Sequence, residues 1–371
     1  LHSLFYYSHE LTRYDFGPDH PFKPERAQKA YELCNRYGVL SRPHISLKSP
    51  PELDREKLLL AHSDEYLDVL ERVSKGELFQ GMLQFGIGTE DNPPLKGIYE
   101  WSAHCAGATW EGMASLLEGS ADVAFNPLGG FHHARHSQAE GFCYINDLVI
   151  AIKEALAHNA KITYVDIDAH HGNGVQEAFY GDNRVQVISM HESGKFLYPF
   201  SGALEESGEE KGQGFTINIP LPPGTDDELY LKAFHRVVIP LIKGFEPDFL
   251  VAQIGADTMI SDPLTDFMLT NNSYTEVVRN LKGLCGKILA TGGGGYDIYR
   301  TARCWTLAWA ILNGIEPEDE FAGLVGGMMF GPEMEVSSLH DRPYAVTGPQ
   351  KDRLRQEVDN TISYLISRHH L

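Results

Sequence analysis

The sequence lacks any paired cysteine motif. Its five cysteines, Cys34, Cys105, Cys143, Cys285 and Cys304, are dispersed, with no Cys-x-x-Cys spacing. An odd, scattered set argues against a disulfide framework and for reduced thiols, so a cytoplasmic setting is expected. Long apolar runs are also missing. The best, Trp305–Leu312, is far short of the roughly 20 residues that a membrane-spanning helix needs, so no membrane partner is expected. The chain opens without a secretory pattern, and because it starts at Leu1 rather than Met, a few preceding residues are expected to be missing. Positive charge is scarce: 31 Lys and Arg stand against 51 Asp and Glu, a formal net charge of −20. An acidic body repels phosphate, which argues against nucleic acid as a partner. It attracts cations such as a lysine-rich protein or a polyamine.

What is present is an ordinary globular composition with many glycines, 36 of 371 residues, several beside candidate strands. β-Branched runs at Leu4–Tyr7, Val123–Phe125, Ile162–Ile167, Val185–Met190, Phe215–Ile219, Phe249–Ile254 and Ile288–Ala290 predict strands. Helical patterns fall between them at about 24–37, 55–75, 95–118, 146–158, 226–244, 272–286 and 298–313. Strand and helix in alternation predict an α/β fold with a mostly parallel sheet and helices on both faces. Ligands of such sheets bind at the carboxyl ends of the strands. No linker, charge block or repeat divides the chain, so one domain over 1–371 is expected. Its tail, from about 332, should run irregularly to Pro349 and close with a helix, Lys351–Arg368, packed on the body.

The chemistry concentrates in Tyr164-Val-Asp-Ile-Asp-Ala-His-His-Gly-Asn-Gly174, where a buried strand runs into two carboxylates and two imidazoles. Alternation puts Asp166 and Asp168 on one face, with His170 next at the same spacing. A carboxylate and an imidazole at a strand's end are the oxygen and nitrogen ligands that zinc accepts. Asp257 ends another strand, Phe249–Ile254 and its continuation, and completes three ligands with open positions, as in a catalytic rather than a structural site. Taken alone, Asp257 reads equally well as a turn or N-cap residue. His132 and His133 follow paired glycines after the strand Val123–Phe125 and suit general acid–base work. Asp166 can orient one imidazole and Asn173 the other; a surface pair or a second metal site is the plainer alternative. Thr291-Gly-Gly-Gly-Gly-Tyr296 has no Lys-Ser/Thr after it, which leaves a phosphate loop weakly supported. The remaining readings are a backbone turn that delivers the Tyr296 hydroxyl to an oxyanion, or a core tyrosine.

These segments, in this order, resemble the zinc-dependent histone deacetylase family, which includes bacterial histone-deacetylase-like and acetoin-utilisation-type deacetylases. Gly141-Phe-Cys-Tyr-Ile-Asn146, His62-Ser-Asp-Glu-Tyr66 and Ala302-Arg-Cys-Trp-Thr306 match as well, and the resemblance runs from Tyr6 to about Leu312. It implies an eight-stranded arginase/deacetylase-like sheet and one Zn²⁺ held by Asp168, His170 and Asp257. It also implies His133 as general base and later acid, His132 with Asp166 as electrostatic support, and Tyr296 as oxyanion donor. Phe142 and Tyr198 should wall a narrow tunnel, with Gly141 at its base, Leu264 near the mouth and Asp91 on the rim; Arg26 should lie in an acetate channel. Two K⁺ sites are implied, one using Asp166, Asp168, His170, Ser189 and Met190, the other Phe179, Asp182, Val185 and Phe215.

Two residues depart from the common pattern. Asn173 stands where many members carry Asp, and Tyr198 where close relatives often have Phe. The expected substrate is an acetyl-lysine protein or peptide. An acetylated polyamine is the alternative, disfavoured because no long insertion lies between Glu77 and Glu100. An arginase-like di-metal hydrolase and a non-catalytic acetyl-lysine-binding module are the more distant readings.

Overall fold

The computed structural model describes residues 1–316 and 339–371. Eight strands form one sheet: β1 Ser3–Tyr6, β2 Ile45–Lys48, β3 Val123–Asn126, β4 Ile162–Asp166, β5 Val185–Glu192, β6 Thr216–Leu221, β7 Phe249–Gln253 and β8 Ile288–Thr291. Their order across the sheet is β2-β1-β3-β8-β7-β4-β5-β6, and every pairing is parallel. All but the β2 edge are almost continuously buried, as a parallel sheet covered on both faces requires.

The two covering layers can be read from the period-two alternation of the strands. Phe5 and Phe125 meet Trp309 of the helix Ile298–Leu312, with ring centroids 5.3 and 6.0 Å apart. Their neighbours Tyr6 and Ala124, with Leu289, face Gly112 of the long helix Ile98–Glu118 instead. Adjacent residues of one strand point to opposite faces, so these two helices lie on opposite sides of the sheet. A side chain at Gly112 would strike the sheet at Leu289 and Ala124, which is why the helix carries no Cβ at this crossing.

Several elements differ from the sequence expectation. The edge strand β2, between Pro43 and Pro50, was not expected; Ile-Ser-Leu-Lys is short, half exposed and has no apolar run. The expected helix over 55–75 divides into Arg55–Leu58 and Asp64–Ser74. Ser63 restarts it, its hydroxyl accepting from the Tyr66 N–H as an N-cap. The span 226–244 forms as Asp227–Ala233 and Ile239–Phe245, joined by a π-helical turn, Phe234–Val238; Pro240 brings no N–H to the second part. A further helix, Asn173–Phe179, occupies a stretch for which no element was expected.

The last helix is Gly348–His369, with Pro349 in its first turn. Lys351 on it forms a buried ion pair with Asp226, at 2.5 Å from Oδ1, and Val346 N–H donates to the same carboxylate at 3.0 Å. That ion pair ties the helix to the body beside β6. Part of the stretch expected to be irregular, 332–338, lies outside the described residues.

Candidate metal centre and active site

Four adjacent central strands, β3, β8, β7 and β4, end at one place and lead into the four segments that carry polar chemistry. β3 feeds Gly129–His133, β8 feeds Gly292–Tyr296, β7 feeds Asp257, and β4 feeds Asp168 and His170. β4 ends at Asp166, one residue before the expected limit, so Asp168 and His170 sit on the loop above the sheet.

Asp168, His170 and Asp257 are buried, and each offers a ligand atom within 4.8 Å of the others. His170 Nδ1 lies 3.1 Å from Asp168 Oδ1 and 2.9 Å from Asp257 Oδ2. Neighbouring donors aim these groups. Asp168 Oδ2 accepts from Gln253 Nε2 and from Gly294 N–H, each at 2.7 Å, and Asp257 Oδ1 accepts from Ala169 N–H at 2.8 Å. Burial opposes a charge on His170, yet its hydrogen bonds to Asp168 and Asp257 outweigh burial and raise its pKa to about 10. Burial and the Asp168 carboxylate push Asp257 up to about 7. The cluster thus calls for positive charge at its centre. Two carboxylates and one imidazole, preorganised and buried, fit a divalent zinc ion.

His132 and His133 stand next to this cluster. His132 Nδ1 is 2.7 Å from Asp166 Oδ2, which also accepts from the Tyr164 hydroxyl at 2.5 Å. Although burial disfavours the imidazolium, Asp166 and Asp168 raise the His132 pKa above its ordinary value. His133 Nδ1 is 2.7 Å from Asn173 Oδ1 at the start of the helix Asn173–Phe179. Burial first, then His132 and His170, hold its pKa well below the ordinary imidazole range. One histidine is therefore biased charged and its neighbour neutral, with Nε2 atoms 3.1 Å apart.

A narrow cavity has His132, His133, Gly141, Phe142, Asp168 and Tyr296 in its wall. The Tyr296 ring stands edge-on to His170 and to Phe142, at 6.3 and 5.8 Å between centroids. Burial, with Asp257 and Asp168 close by, raises its hydroxyl pKa well above the ordinary value, so it stays protonated. Tyr198 meets His133 edge-on at 5.3 Å. Phe142 adopts φ +69°, a left-handed backbone rarely tolerated by a bulky residue, and its ring abuts His20 and Tyr296. Gly141, at φ +54°, lies so close to His133 that a Cβ there would enter the imidazole.

The outer residues are arranged more loosely. Asp91 is exposed, and its carbonyl lies 3.1 Å from His20 Nε2, behind Phe142. Leu264 is half-buried, its N–H donating to Asp262 Oδ1 at 3.0 Å. Arg26 is buried under the glycine turn and donates to the carbonyls of Gly295 and Gly293 at 2.8 and 2.5 Å. Asp166 and Ser189 are neighbours across the β4–β5 pairing, and Met190 follows on β5. Phe179, Asp182, Val185 and Phe215 cluster where the helix Asn173–Phe179 turns into β5 beside β6. There Asp182 N–H donates to the Phe179 carbonyl and Val187 N–H to that of Phe215.

Comparison with known proteins decides the family. The model described as "Histone deacetylase domain" matches residues 20–312. This chain belongs to the histone deacetylase family. It is 38% identical over 318 residues to histone deacetylase B of Dictyostelium discoideum, which spans 85% of this chain and 75% of that protein. To histone deacetylase RPD3 of Saccharomyces cerevisiae it is 34% identical over 349 residues, 93% of this chain and 80% of the yeast protein. The crystal structure of an HDAC homolog from Aquifex aeolicus superposes with a TM-score of 0.86 at 32% identity, covering 98% of this chain and all of that one. A structure of an HDAC homolog complexed with SAHA gives 0.85, also at 32% identity.

Four residues that position this deacetylase-family site were not singled out from the sequence. Gln253, the last residue of β7, bonds Asp168. Asp147 accepts from the N–H groups of Gly130 and Phe131 and so shapes the turn before His132. Asp262 accepts from Tyr296 N–H at 2.8 Å and from Leu264. Glu140 bonds both Asn173 and Tyr198. For Asp147 a signal existed, an acid directly after the Gly141–Asn146 motif. The other three act through contacts distant in sequence and left none.

Proposed function

We propose that this protein is a zinc-dependent amidohydrolase that removes acetyl from the ε-amine of acetyl-lysine in proteins or peptides and releases acetate. The observation that carries this reading is the single cavity that has Asp168 of the metal cluster, the neutral-biased His133 and the protonated Tyr296 in its wall. Zinc held by Asp168, His170 and Asp257 supplies Lewis acidity toward the amide carbonyl and lowers the pKa of a nearby water.

The chain's own groups do the rest. His133, neutral and held at Nδ1 by Asn173, accepts the water proton on Nε2 as oxygen adds to the amide carbon. The Tyr296 hydroxyl donates to the developing oxyanion. His132, held by Asp166, supplies positive charge beside the reacting centre. His133 then returns its proton to the nitrogen as the C–N bond breaks, leaving a free amine and acetate. Phe142 and Tyr198 form the tunnel side walls, with Gly141 at the base, Leu264 near the mouth and Asp91 on the rim; Arg26, beneath Tyr296, lines the acetate exit. That an HDAC homolog of this fold is solved as a complex with SAHA supports a ligand-binding site in this fold. The two K⁺ sites belong to the same reading, supported by the grouping of Ser189 and Met190 with the Asp166–His170 loop and of Phe179, Asp182, Val185 and Phe215 beside β6.

The test is acetate release from an acetyl-lysine peptide and from an acetylated polyamine, with and without chelator. Chelator-sensitive release from the peptide is expected. Release from the polyamine alone would move the substrate to small amides, as would an acetoin-utilisation role, and no release from either would sink the hydrolase reading. Asp257→Ala is expected to lose both zinc, measured by metal analysis, and turnover.

A further inference from the structure

The two sequence departures, Asn173 and Tyr198, meet at one side chain. Glu140 Oε1 accepts from Asn173 Nδ2 at 3.0 Å and from the Tyr198 hydroxyl at 3.1 Å. Its other oxygen, Oε2, pairs with Arg135 Nε at 2.7 Å, and Arg135 also reaches Glu177 at 3.2 Å. Nothing in the proposed reaction so far uses Glu140.

An amide in this position creates a problem that a carboxylate does not. Asp presents an acceptor to His133 whichever way it turns. Asn has two ends of nearly equal size, and only the oxygen accepts. Turned over, it would give its NH₂ to His133 Nδ1, which would force the imidazole proton onto Nε2. His133 would then have no lone pair on the nitrogen that faces the cavity. His132 does not settle the matter by itself. As an imidazolium its Nε2, 3.1 Å from His133 Nε2, donates and favours the same tautomer, whereas as a neutral ring with its proton on Nδ1 toward Asp166 it accepts and draws the His133 proton to the wrong side. His170 and the Tyr198 ring, the other groups facing His133, offer it no competing hydrogen bond.

A carboxylate only accepts, so the Asn173 NH₂ must point at Glu140 and the Asn173 oxygen at His133. We propose that Glu140 is a positioning residue that fixes the orientation of Asn173 and thereby keeps the His133 proton on Nδ1. Its negative charge, passed through the amide, also strengthens Oδ1 as an acceptor. Tyr198 and Arg135 hold the carboxylate in place. The inference rests on His133 as the base, and it explains why two unusual residues occur together.

The experiment reads the tautomer directly. Zinc-loaded protein labelled with ¹⁵N-histidine is examined by long-range ¹H–¹⁵N NMR at pH about 9, where ordinary imidazoles are neutral. His133→Ala assigns the signal. The wild type is expected to show the Nδ1–H pattern. Glu140→Leu, of similar bulk but without an acceptor, is expected to shift His133 toward Nε2–H and to lower kcat by roughly 10- to 100-fold, with zinc content unchanged. Glu140→Ala covers the case in which the leucine variant does not fold. Adding Asn173→Asp to either variant is expected to restore the Nδ1–H pattern and most of the turnover, because both Asp oxygens accept. An unchanged His133 pattern in the Glu140 variants, or no rescue by Asn173→Asp, overturns the proposal. A wild type that releases no acetate while the tautomer still shifts would defeat the deacetylase reading and leave the role of Glu140 standing.

Discussion

The Tyr296 hydroxyl stays protonated because burial and the nearby carboxylates of Asp257 and Asp168 resist a second negative charge. A donor that never ionises can stabilise an oxyanion at any pH at which the rest of the site works. Tyr296→Phe keeps the ring that meets His170 and Phe142 and removes only that donor. Its kcat is expected to fall by about two to three orders of magnitude, as for loss of an oxyanion-hole donor, with KM and zinc content little changed. Steady-state kinetics with metal analysis checks this, and undiminished turnover would strip Tyr296 of its role. At this scale the sequence was legible wherever a residue's chemistry is local. Asp168 and His170 announce themselves by following a strand. Glu140 does not, because its meaning lies in contacts with Asn173 and Tyr198, 33 and 58 positions away.

Among the elements, the turn after β8 bears most directly on the centre. Gly293 and Gly295 adopt φ +129° and +127°, and between them Gly294 donates its N–H to Asp168 Oδ2. A Cβ at Gly294 would overlap the Asp257 carboxylate. Gly294→Ala is therefore expected to push a ligand aside and weaken zinc binding by at least tenfold, measured by competition with a chromogenic chelator. Zinc affinity equal to wild type would show that the turn merely fills space. This close approach was hidden in the sequence, where four glycines read only as a backbone turn ahead of Tyr296 or, weakly, as a phosphate loop. The sheet itself was legible, because buried parallel strands are written as β-branched runs. The exposed β2, the π-helical turn and the break at Ser63 were not; each depends on an edge, a missing N–H or a cap rather than on hydrophobic periodicity.

For the molecule as a whole, acid is the weak side. His62 is buried, its Nε2 accepts from Asn146 N–H at 2.9 Å, and burial lowers its pKa to about 3. The unfolded chain takes up a proton there below about pH 6.5, while the folded one does not until near pH 3. This group's contribution is therefore fully present above pH 6.5 and is lost as pH falls, by about 1.4 kcal/mol per pH unit. Urea unfolding at a series of pH values from about 7 to about 5 should show that slope. His62→Gln, which keeps an acceptor for Asn146, should flatten it by about one proton; an unaltered slope would mean that His62 is not the group responsible.

The strand order has a consequence for how the protein comes into being. β8, the last of the described strands to be made, is inserted in mid-sheet between β3 and β7, and its turn holds Asp168 in place. Strands 165 positions apart, Val123 and Ile288, are direct partners. During synthesis the ligands Asp168, His170 and Asp257 all emerge before the strand that aligns them. A ribosome stalled before residue 288 would carry all three candidate metal ligands without the turn that holds Asp168.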